Sequence, residues 1–510
     1  MIMGRTKYLL ALSMLLAILG ACVEIKMEES FNPYPTTLPT DSLKEAIARL
    51  PGVTNVTTNT DGDGRKTIFF SFRQAVDHND PSAGTFLQRV GIRYAGEDNT
   101  VVLNTQGYDI EEAPVSVADI DLADTLHANI VEIEHRYFGK SLPETLTSLE
   151  FNYLYTEQAA EDIHTIVKLL KDNLFKTGKW VSTGCSKGGI STVLQAYYSE
   201  KKGWKDIDLY VPFCAPFMTE LYDRSFGDYV LNTCGNDYPD GSPEAIARER
   251  LRRYPAAISG NKDLREACLR SFHYICPDVY ELLLNEYGPD EKAATCGAEW
   301  CFAKNSSDFW CYLPISLWAP LVPDPDTDAP DLVAGFVFTT VEELYSHIKT
   351  SQTQTKGGYN DNELVNQINK NDSHVNYVVQ GCRELGLMSF NYSAVDGTYL
   401  TEEYAQTVTK LLDDAGRFEK YNGQWDGGAL MKDVKAWVET QSSAEMVFVY
   451  GANDPWTSGS VNPVAAASNP HVTYILNSNG IHSYRILNRA SYDESTCTSI
   501  LNAVKAVIGK

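Results

Sequence analysis

The pattern of apolar and polar positions predicts four β-strands in the first third of the chain. These segments combine alternation with β-branched or aromatic residues, and they lie at 67–72, 86–94, 100–104 and 128–134. An amphipathic stretch at 42–50 precedes them and predicts a short helix. Residues 23–65 are therefore predicted to be a tether and a helix ahead of the main domain.

The spacing of the apolar residues changes after residue 150. Thr156 is predicted to cap a helix, whose buried face carries Ile163, Ile166, Val167 and Leu170 at helical spacing. A strand at 179–183, a helix at 190–198 and a strand at 209–213 follow. Alternation of strand and helix is typical of a parallel sheet, so the predicted fold class is α/β.

The alternation stops at residue 217 and resumes only at the apolar strands 446–450 and 472–476. The intervening segment is rich in cysteine and aromatic residues and is helical in pieces. We therefore predict a mostly parallel sheet built from residues 66–216 and 441–510. A large, mainly helical, cysteine-rich cap domain at 217–440 would be inserted into it. A chain of 510 residues exceeds the size at which a single core usually stops growing, which agrees with this division.

The amino terminus is predicted to be a processing signal. A positive start is followed by a short apolar run at 8–19, which ends in Leu19-Gly20-Ala21-Cys22. This ending resembles a bacterial lipobox, so residues 1–22 are interpreted as a lipoprotein signal peptide with Cys22 as the lipidated residue. An ordinary signal peptide is the alternative. The expected location is the cell envelope, anchored at the outer membrane on its periplasmic or outer face, or secreted.

Net charge and cysteine content bear on nucleic-acid binding and on the expected role of the cysteines. The net charge of -24 disfavours nucleic acid, whose phosphates an acidic surface repels. Removing Cys22 from the eleven cysteines leaves an even number in an oxidising compartment, which favours disulfides. Seven of these cysteines lie close together in the middle third of the chain, namely Cys214, Cys234, Cys268, Cys276, Cys296, Cys301 and Cys311. Zinc is the competing interpretation, but no CxxC pair is present and the histidines are not clustered with these cysteines.

The segment Gly184-Cys185-Ser186-Lys187-Gly188 lies between a predicted strand and a predicted helix. This is the setting of a nucleophile elbow, in which a tight turn presents the serine and demands glycine on either side. A phosphate-binding loop is the alternative, but such a loop places Lys-Ser/Thr after its second glycine. Ser186 is therefore the candidate nucleophile of an α/β-hydrolase fold.

The partners that a nucleophilic serine needs follow two later strands, in the chain order of that fold. Asp454 comes after strand 446–450, and His482 comes after strand 472–476. An aspartate before proline can instead cap its own turn, and a histidine can be an ordinary core or surface residue. His135 is an alternative base. The expected reaction is acyl transfer, with His482 as general base, Asp454 orienting it, and neither cofactor nor metal required.

An acyl-transfer site also needs donors for the oxyanion. The N–H of Lys187, directly after the serine, is the first candidate. The second is expected in the loop after strand 100–104, at Gly107 or Tyr108.

Three further stretches carry a family resemblance. The segment EHRYFGKSLP at 134–143 resembles that of the lysosomal Pro-X carboxypeptidase and dipeptidyl peptidase II family. The segments YTEQAAED at 155–162 and NDPW at 453–456 resemble it as well. The nucleophile segment SKGG at 186–189 is more similar to bacterial secreted prolyl tri- and tetrapeptidyl aminopeptidases. The resemblance covers about 100–215 and 445–485.

The resemblance implies a serine exopeptidase that cleaves after proline and releases short peptides from free amino termini. Glu134 is a candidate anchor for the substrate α-ammonium and Trp456 for its side chains. A structural ion pair of Glu134 with Arg136 or a buried lysine is the alternative. Three other functions stay open, namely a capped esterase or lipase, a Pro-X carboxypeptidase, and a binding lipoprotein without turnover.

Overall fold

The computed structural model describes residues 40–60, 64–110, 120–288, 291–341, 343–344, 373–389, 398–399, 424–482 and 493–509. Its centre is a nine-stranded sheet with the order β1-β2-β3-β5-β4-β6-β7-β10-β11. Strands β5, β4, β6, β7, β10 and β11 run parallel, whereas β1, β2 and β3 pair antiparallel at one end. A mostly parallel sheet with this crossover order is that of an α/β-hydrolase, as the sequence predicted.

The strands of this sheet are short. Their bounds are β1 Val53–Thr60, β2 Lys66–Ala75, β3 Thr85–Arg93, β4 Val101–Thr105, β5 Asn129–Ile133, β6 Trp180–Cys185, β7 Leu209–Phe213, β10 Met446–Gly451 and β11 Val472–Asn477. A separate pair of two-residue strands, β8 Tyr222–Asp223 and β9 Leu387–Met388, lies between β7 and β10 in the chain.

Helices cover both faces of the sheet and fill the insertion. Their bounds are α1 Thr40–Ala48, α2 Asp121–Leu126, α3 Thr156–Asn173, α4 Lys187–Lys202, α5 Ser225–Asn232, α6 Pro243–Gly260, α7 Lys262–Ile275, α8 Pro277–Tyr287, α9 Lys292–Tyr312, α10 Ile315–Trp318, α11 Pro330–Val337, α12 Ser373–Gln380, α13 Ala429–Thr440, α14 Pro463–Ala466 and α15 Glu494–Ile508. Helices α2 and α15 share one apolar cluster with the sheet, and α3, α4 and α13 pack on the other side.

The two outer layers follow from the period of the strands. Adjacent residues of a strand point to opposite faces, so Trp180 joins the cluster of α3 whereas Val181 joins the cluster of α15. Strands buried on both faces read as apolar runs, which is why 209–213 and 446–450 were recognisable in the sequence.

Helices α5 to α11 lie between β7 and β10 and share one apolar core of their own. Of the cysteines that the sequence assigned to disulfides, this core contains Cys234, Cys268, Cys276, Cys296, Cys301 and Cys311. The disulfide prediction is wrong for the described chain, because no disulfide joins any of its ten cysteines. The thiols of this core pack as small apolar groups, four of them on helices, and are at most 8% exposed.

Two local predictions also need correction. Residues 53–60 are not a tether but the edge strand β1, paired antiparallel with β2. Thr156 is the first residue of α3, not its cap. The carboxylate of Glu384 accepts the backbone N–H of Thr156 at 2.8 Å, so a distant residue caps this helix end.

Two of the segments that carried the family resemblance are joined by a buried ion pair. Arg136 donates from Nε to Asp162 Oδ2 at 2.7 Å and from Nη2 to Oδ1 at 2.6 Å. Both side chains are at most 1% exposed. Arg136 also donates to the carbonyl oxygens of Val76 and Tyr153, so its charge is well compensated. The pair fixes the loop after β5 against helix α3.

Cys22 and the rest of residues 1–39 lie outside the described residues. In the part of the chain that is described, no helix combines the length and apolar character needed to cross a membrane.

Candidate active site

The carboxyl edge of the parallel strands gathers all the loops that the sequence analysis marked as functional. Loops after β4, β5, β6, β10 and β11 carry Gly107, Glu134, Ser186, Asp454 and His482, respectively. Because these strands are parallel, their carboxyl ends meet at one edge of the sheet.

Ser186 occupies a strained turn between β6 and α4. Its backbone has φ 58° and ψ −124°, a conformation that residues other than glycine rarely adopt. Its N–H donates to the carbonyl oxygen of Phe213 at 3.0 Å, which ties the turn to the end of β7. This is the backbone expected of a nucleophile elbow.

The glycines around Ser186 are required by close backbone contacts. A Cβ atom on Gly184 would lie 2.5 Å from the carbonyl carbon and oxygen of Gly188. A Cβ on Gly188 would lie 2.8 Å from the Thr105 carbonyl oxygen. The elbow is thus packed against itself and against the end of β4, as the predicted steric role of both glycines requires.

Asp454 and His482 form a direct pair. His482 Nδ1 lies 2.8 Å from Asp454 Oδ2, and both side chains are at most 3% exposed. The other carboxylate oxygen of Asp454 accepts the backbone N–H of Trp456 at 3.0 Å. Asp454 therefore both caps its own turn and binds the histidine, so the two roles weighed from the sequence coexist. His135 instead places Nδ1 2.8 Å from the Arg136 carbonyl oxygen.

The electrostatics of this pair favour the protonated form of the histidine ring. Burial alone would lower the pKa of His482, but the charge of Asp454 and the hydrogen bond to it outweigh burial and raise that pKa above its ordinary value. The other ring nitrogen, Nε2, is buried and makes no hydrogen bond to any N or O atom of the described chain.

Cys214 is a neighbour of His482 that the sequence analysis did not place there. It follows β7 directly, has a positive φ of 47°, and is fully buried. Its Sγ, a carboxylate oxygen of Asp454 and a ring nitrogen of His482 lie within 4.8 Å of one another. A hydrogen bond with the Cys185 thiol, and then burial, raise the pKa of Cys214 well above its ordinary value. These three side chains could together ligate a soft metal ion.

The loop after β4 lies against the residue that follows Ser186. A Cβ on Gly107, whose φ is +72°, would lie 2.8 Å from the Gly188 nitrogen and 3.0 Å from the Lys187 carbonyl carbon. In the described structure the backbone N–H groups of Tyr108 and Lys187 donate to no acceptor. Both predicted sources of oxyanion donors are therefore adjacent at the elbow.

Glu134 is not an open anchor for a substrate. Its side chain is fully buried, and its carboxylate accepts from Arg89 Nη1 at 2.9 Å and from Ser141 Oγ at 2.6 Å. The backbone N–H groups of Ile110 and Lys140 donate to it as well. The structural alternative is the observed one, although the cation is Arg89 rather than Arg136 or a lysine. Burial raises the pKa of Glu134 to about 7, against the opposing effects of these donors.

Aromatic rings surround the histidine. The ring centroid of Trp456 lies 5.6 Å from that of His482, and the Tyr312 centroid lies 6.2 Å away. Trp456 is 7% exposed and packs edge-to-face on Phe226 of the insertion. Tyr312 ends the long helix α9, and neither its helix nor its place beside His482 was predicted.

The insertion holds the catalytic loops directly. His482 donates its backbone N–H to the Cys311 carbonyl oxygen at 2.9 Å. Asn453 Oδ1 accepts from the Gly235 N–H at 2.9 Å, and the Tyr229 hydroxyl donates to the Ala452 carbonyl oxygen at 3.1 Å. These contacts connect two helices of the insertion to the loops of Asp454 and His482.

The elbow, the Asp–His pair and the strand order together define a capped α/β-hydrolase with a serine nucleophile. Residues 39–262 match the family model of PS-10 peptidase S37. The prolyl tri/tetrapeptidyl aminopeptidase of Streptomyces mobaraensis is 26% identical over 451 residues, which cover 88% of this chain and 81% of that protein. The chain is therefore similar to serine peptidases of this family.

Other similarities are more distant. The serine protease vicPb of Bipolaris victoriae is 23% identical over 212 residues, covering 36% of this chain and 39% of that protein. Among solved structures, the peroxisomal α/β-hydrolase Lpx1 of Saccharomyces cerevisiae is 9% identical with a TM-score of 0.36, covering 87% and 90% of the two chains. The rice cell wall degrading esterase LipA of Xanthomonas oryzae is 11% identical with a TM-score of 0.35, covering 90% and 98%.

Proposed function

We propose that the protein is a serine exopeptidase that cleaves after proline and releases tri- and tetrapeptides from free amino termini. Ser186, Asp454 and His482 would form its catalytic triad. The observation that carries this proposal is the buried 2.8 Å contact between Asp454 and His482, on loops at the same sheet edge as the strained serine elbow.

Each residue of the triad has a defined step. Ser186 Oγ attacks the carbonyl carbon of proline while His482 Nε2 takes the serine proton. Asp454 holds the ring and stabilises its positive charge. The tetrahedral oxyanion receives hydrogen bonds from the N–H of Lys187 and from the N–H of Gly107 or Tyr108. His482 then returns the proton to the leaving amine, and water releases the peptide from Ser186 by the same steps in reverse.

The substrate class rests on two supports. The Streptomyces mobaraensis relative is named for prolyl tri- and tetrapeptides, and it aligns over most of this chain. The rings of Tyr312 and Trp456 flank His482, and aromatic faces of this kind suit the apolar ring of proline. Helices of the insertion at the same loops would limit entry to short or unfolded chains.

The test is a panel of chromogenic substrates on the purified protein. Ala-Ala-Pro-p-nitroanilide with a free amino terminus should be hydrolysed, and blocking the amine should abolish the signal. Ser186→Ala should remove activity without changing the melting temperature. Turnover of p-nitrophenyl esters alone would make the protein an esterase, release of the residue after proline from blocked Pro-Phe would make it a carboxypeptidase, and no turnover with no fluorophosphonate labelling would make it a binding protein.

We also propose that the chain is an exported lipoprotein, acylated on Cys22 and held at the cell envelope. The support is the sequence Leu19-Gly20-Ala21-Cys22 after an apolar run. Labelled palmitate should enter the wild-type full chain, whereas Cys22→Ser should remain unlabelled and leave the membrane fraction. Equal labelling of both chains would contradict acylation at this residue.

A further inference from the structure

Lys187 has a side chain that the proposed reaction does not use. This side chain follows the nucleophile, yet the whole residue is only 2% exposed. Its Nζ donates to the carbonyl oxygen of Gly107, in the loop after β4. The same atom lies 4.4 Å from the centroid of the Phe138 ring and 5.2 Å from that of Tyr108.

Placing a lysine there is unfavourable for folding. Among the described residues it forms no ion pair with a carboxylate, and burial lowers its pKa well below the ordinary value. The ring faces of Phe138 and Tyr108 offset part of this cost when the amine is charged. Charged or neutral, the amine keeps an N–H to donate to Gly107. A buried lysine without a carboxylate partner calls for a role that an apolar residue could not fill.

The atom that Lys187 binds belongs to the peptide that offers the second oxyanion donor. The Gly107 carbonyl and the Tyr108 N–H share one planar trans peptide, so they point in opposite directions. Fixing the carbonyl oxygen therefore fixes the direction of the N–H. Gly107, at φ +72° and with no Cβ, would otherwise allow this peptide to rotate.

We propose that the Lys187 side chain is a positioning residue for the oxyanion site. It holds the Gly107 carbonyl so that the Tyr108 N–H faces the reacting carbonyl, beside the N–H of Lys187 itself. One residue thus supplies one donor through its backbone and orients the other through its side chain. This role rests on the proposed acyl-transfer function and selects Tyr108 rather than Gly107 as the second donor.

The decisive variant is Lys187→Met, which removes the amine but keeps the backbone N–H. With Ala-Ala-Pro-p-nitroanilide, kcat should fall about 10- to 100-fold, because one oxyanion donor loses its orientation. KM and inhibition by the product Ala-Ala-Pro should stay within about twofold, since the ground state does not use the oxyanion site. Affinity for a peptidyl-prolinal aldehyde, which forms a tetrahedral adduct with the serine, should fall by the same factor as kcat.

Two variants serve as comparisons. Lys140→Met removes an exposed lysine in the loop after β5 and should leave all three quantities unchanged. Lys187→Arg keeps a donor and should retain more activity than Lys187→Met. An unchanged kcat in Lys187→Met, or a lower kcat with unchanged aldehyde affinity, would overturn the positioning role. A merely structural lysine would lower stability without this matched loss.

A measurement on the wild type covers the case in which Lys187→Met does not fold. A crystal structure of the Ser186 adduct with a peptidyl-boroproline should place a boronate oxygen in hydrogen-bond reach of the Tyr108 and Lys187 nitrogens, with Nζ on the Gly107 carbonyl. A Tyr108 N–H turned away from the boronate would overturn the proposal. Because wild-type turnover and its loss in Ser186→Ala test the peptidase function separately, a fully active Lys187→Met enzyme would refute only the positioning role.

Discussion

Replacing Asp454 by asparagine tests the pairing at the centre of the site. Asp454 Oδ2 lies 2.8 Å from His482 Nδ1, and both groups are buried. Asparagine keeps the shape and the turn-capping oxygen but removes the charge. We expect kcat/KM for Ala-Ala-Pro-p-nitroanilide to fall and the pH dependence of the reaction to shift.

The size of the effect follows from Coulomb's law. Taking the centres of the two delocalised charges as about 4 Å apart, with an effective dielectric of about 20, their attraction is about 4 kcal/mol. Its loss corresponds to about 3 pKa units and a rate loss of about 10³-fold when the imidazolium forms. Because the charge of Asp454 raises the pKa of His482, removing it should lower that pKa.

The assay is kcat/KM measured between about pH 5 and pH 10. The acid limb reports the loss of neutral His482 and should move to lower pH in Asp454→Asn. Asp206→Asn is the matched control, because Asp206 Oδ2, in the loop before β7, lies 2.6 Å from Nδ1 of His164 on helix α3 and forms another Asp–His pair. It should leave rate and profile unchanged. The reasoning is refuted if Asp454→Asn stays within about threefold of wild type, or if its acid limb moves to higher pH.

Three further changes test the fold around the site. Gly184→Ala places a Cβ 2.5 Å from the Gly188 carbonyl, so it should abolish p-nitroanilide turnover and lower the melting temperature; full activity would show that the elbow is looser than described. Arg136→Met removes the guanidinium from the buried Asp162, which keeps only its contacts with His78 and Gln88, and should lower the free energy of unfolding by about 3 kcal/mol in urea titration, with partial recovery when Asp162→Leu is added; an unchanged midpoint would contradict a stabilising pair. Because no disulfide joins the described cysteines, dithiothreitol should leave the melting temperature unchanged, and a fall of several degrees would reveal a disulfide.

The elbow and the pair of loops were predictable because their requirements are local. A serine in a tight turn needs glycine on both sides, and residues 184–188 contain glycine at both ends. Asp454 and His482 each follow a short apolar strand within a few residues. Where the chemistry depends on the end of one strand, the order of residues is enough to place it.

Other features depend on partners that are distant in sequence. Glu384 caps helix α3 from more than 200 residues away, and Arg89 rather than Arg136 neutralises Glu134. Cys214 meets His482 only because β7 and β11 flank β10 in the sheet. No local pattern distinguishes these partners from other residues of the same type.

The remaining errors came from composition. Residues 53–60 are rich in threonine and asparagine, so an edge strand that is half exposed looked like a polar tether. The cysteines of the insertion were assigned to disulfides because their number is even and an oxidising compartment was expected. Their burial in the apolar core of the insertion was the stronger determinant, and that burial is visible only when the helices are packed.

The hydrogen bonds from the insertion to the loops of Asp454 and His482 have a consequence for protein engineering and for the evolution of substrate specificity. A cap that only covered a site could be exchanged between related enzymes to change their substrate specificity. Here the Cys311 carbonyl and the Gly235 amide are fixed points for the histidine and aspartate loops, so a transplanted cap would have to reproduce them or lose the geometry of the base. Selectivity and reactivity are therefore expected to be inherited together, with new specificities arising from side-chain changes within this cap more readily than from its replacement.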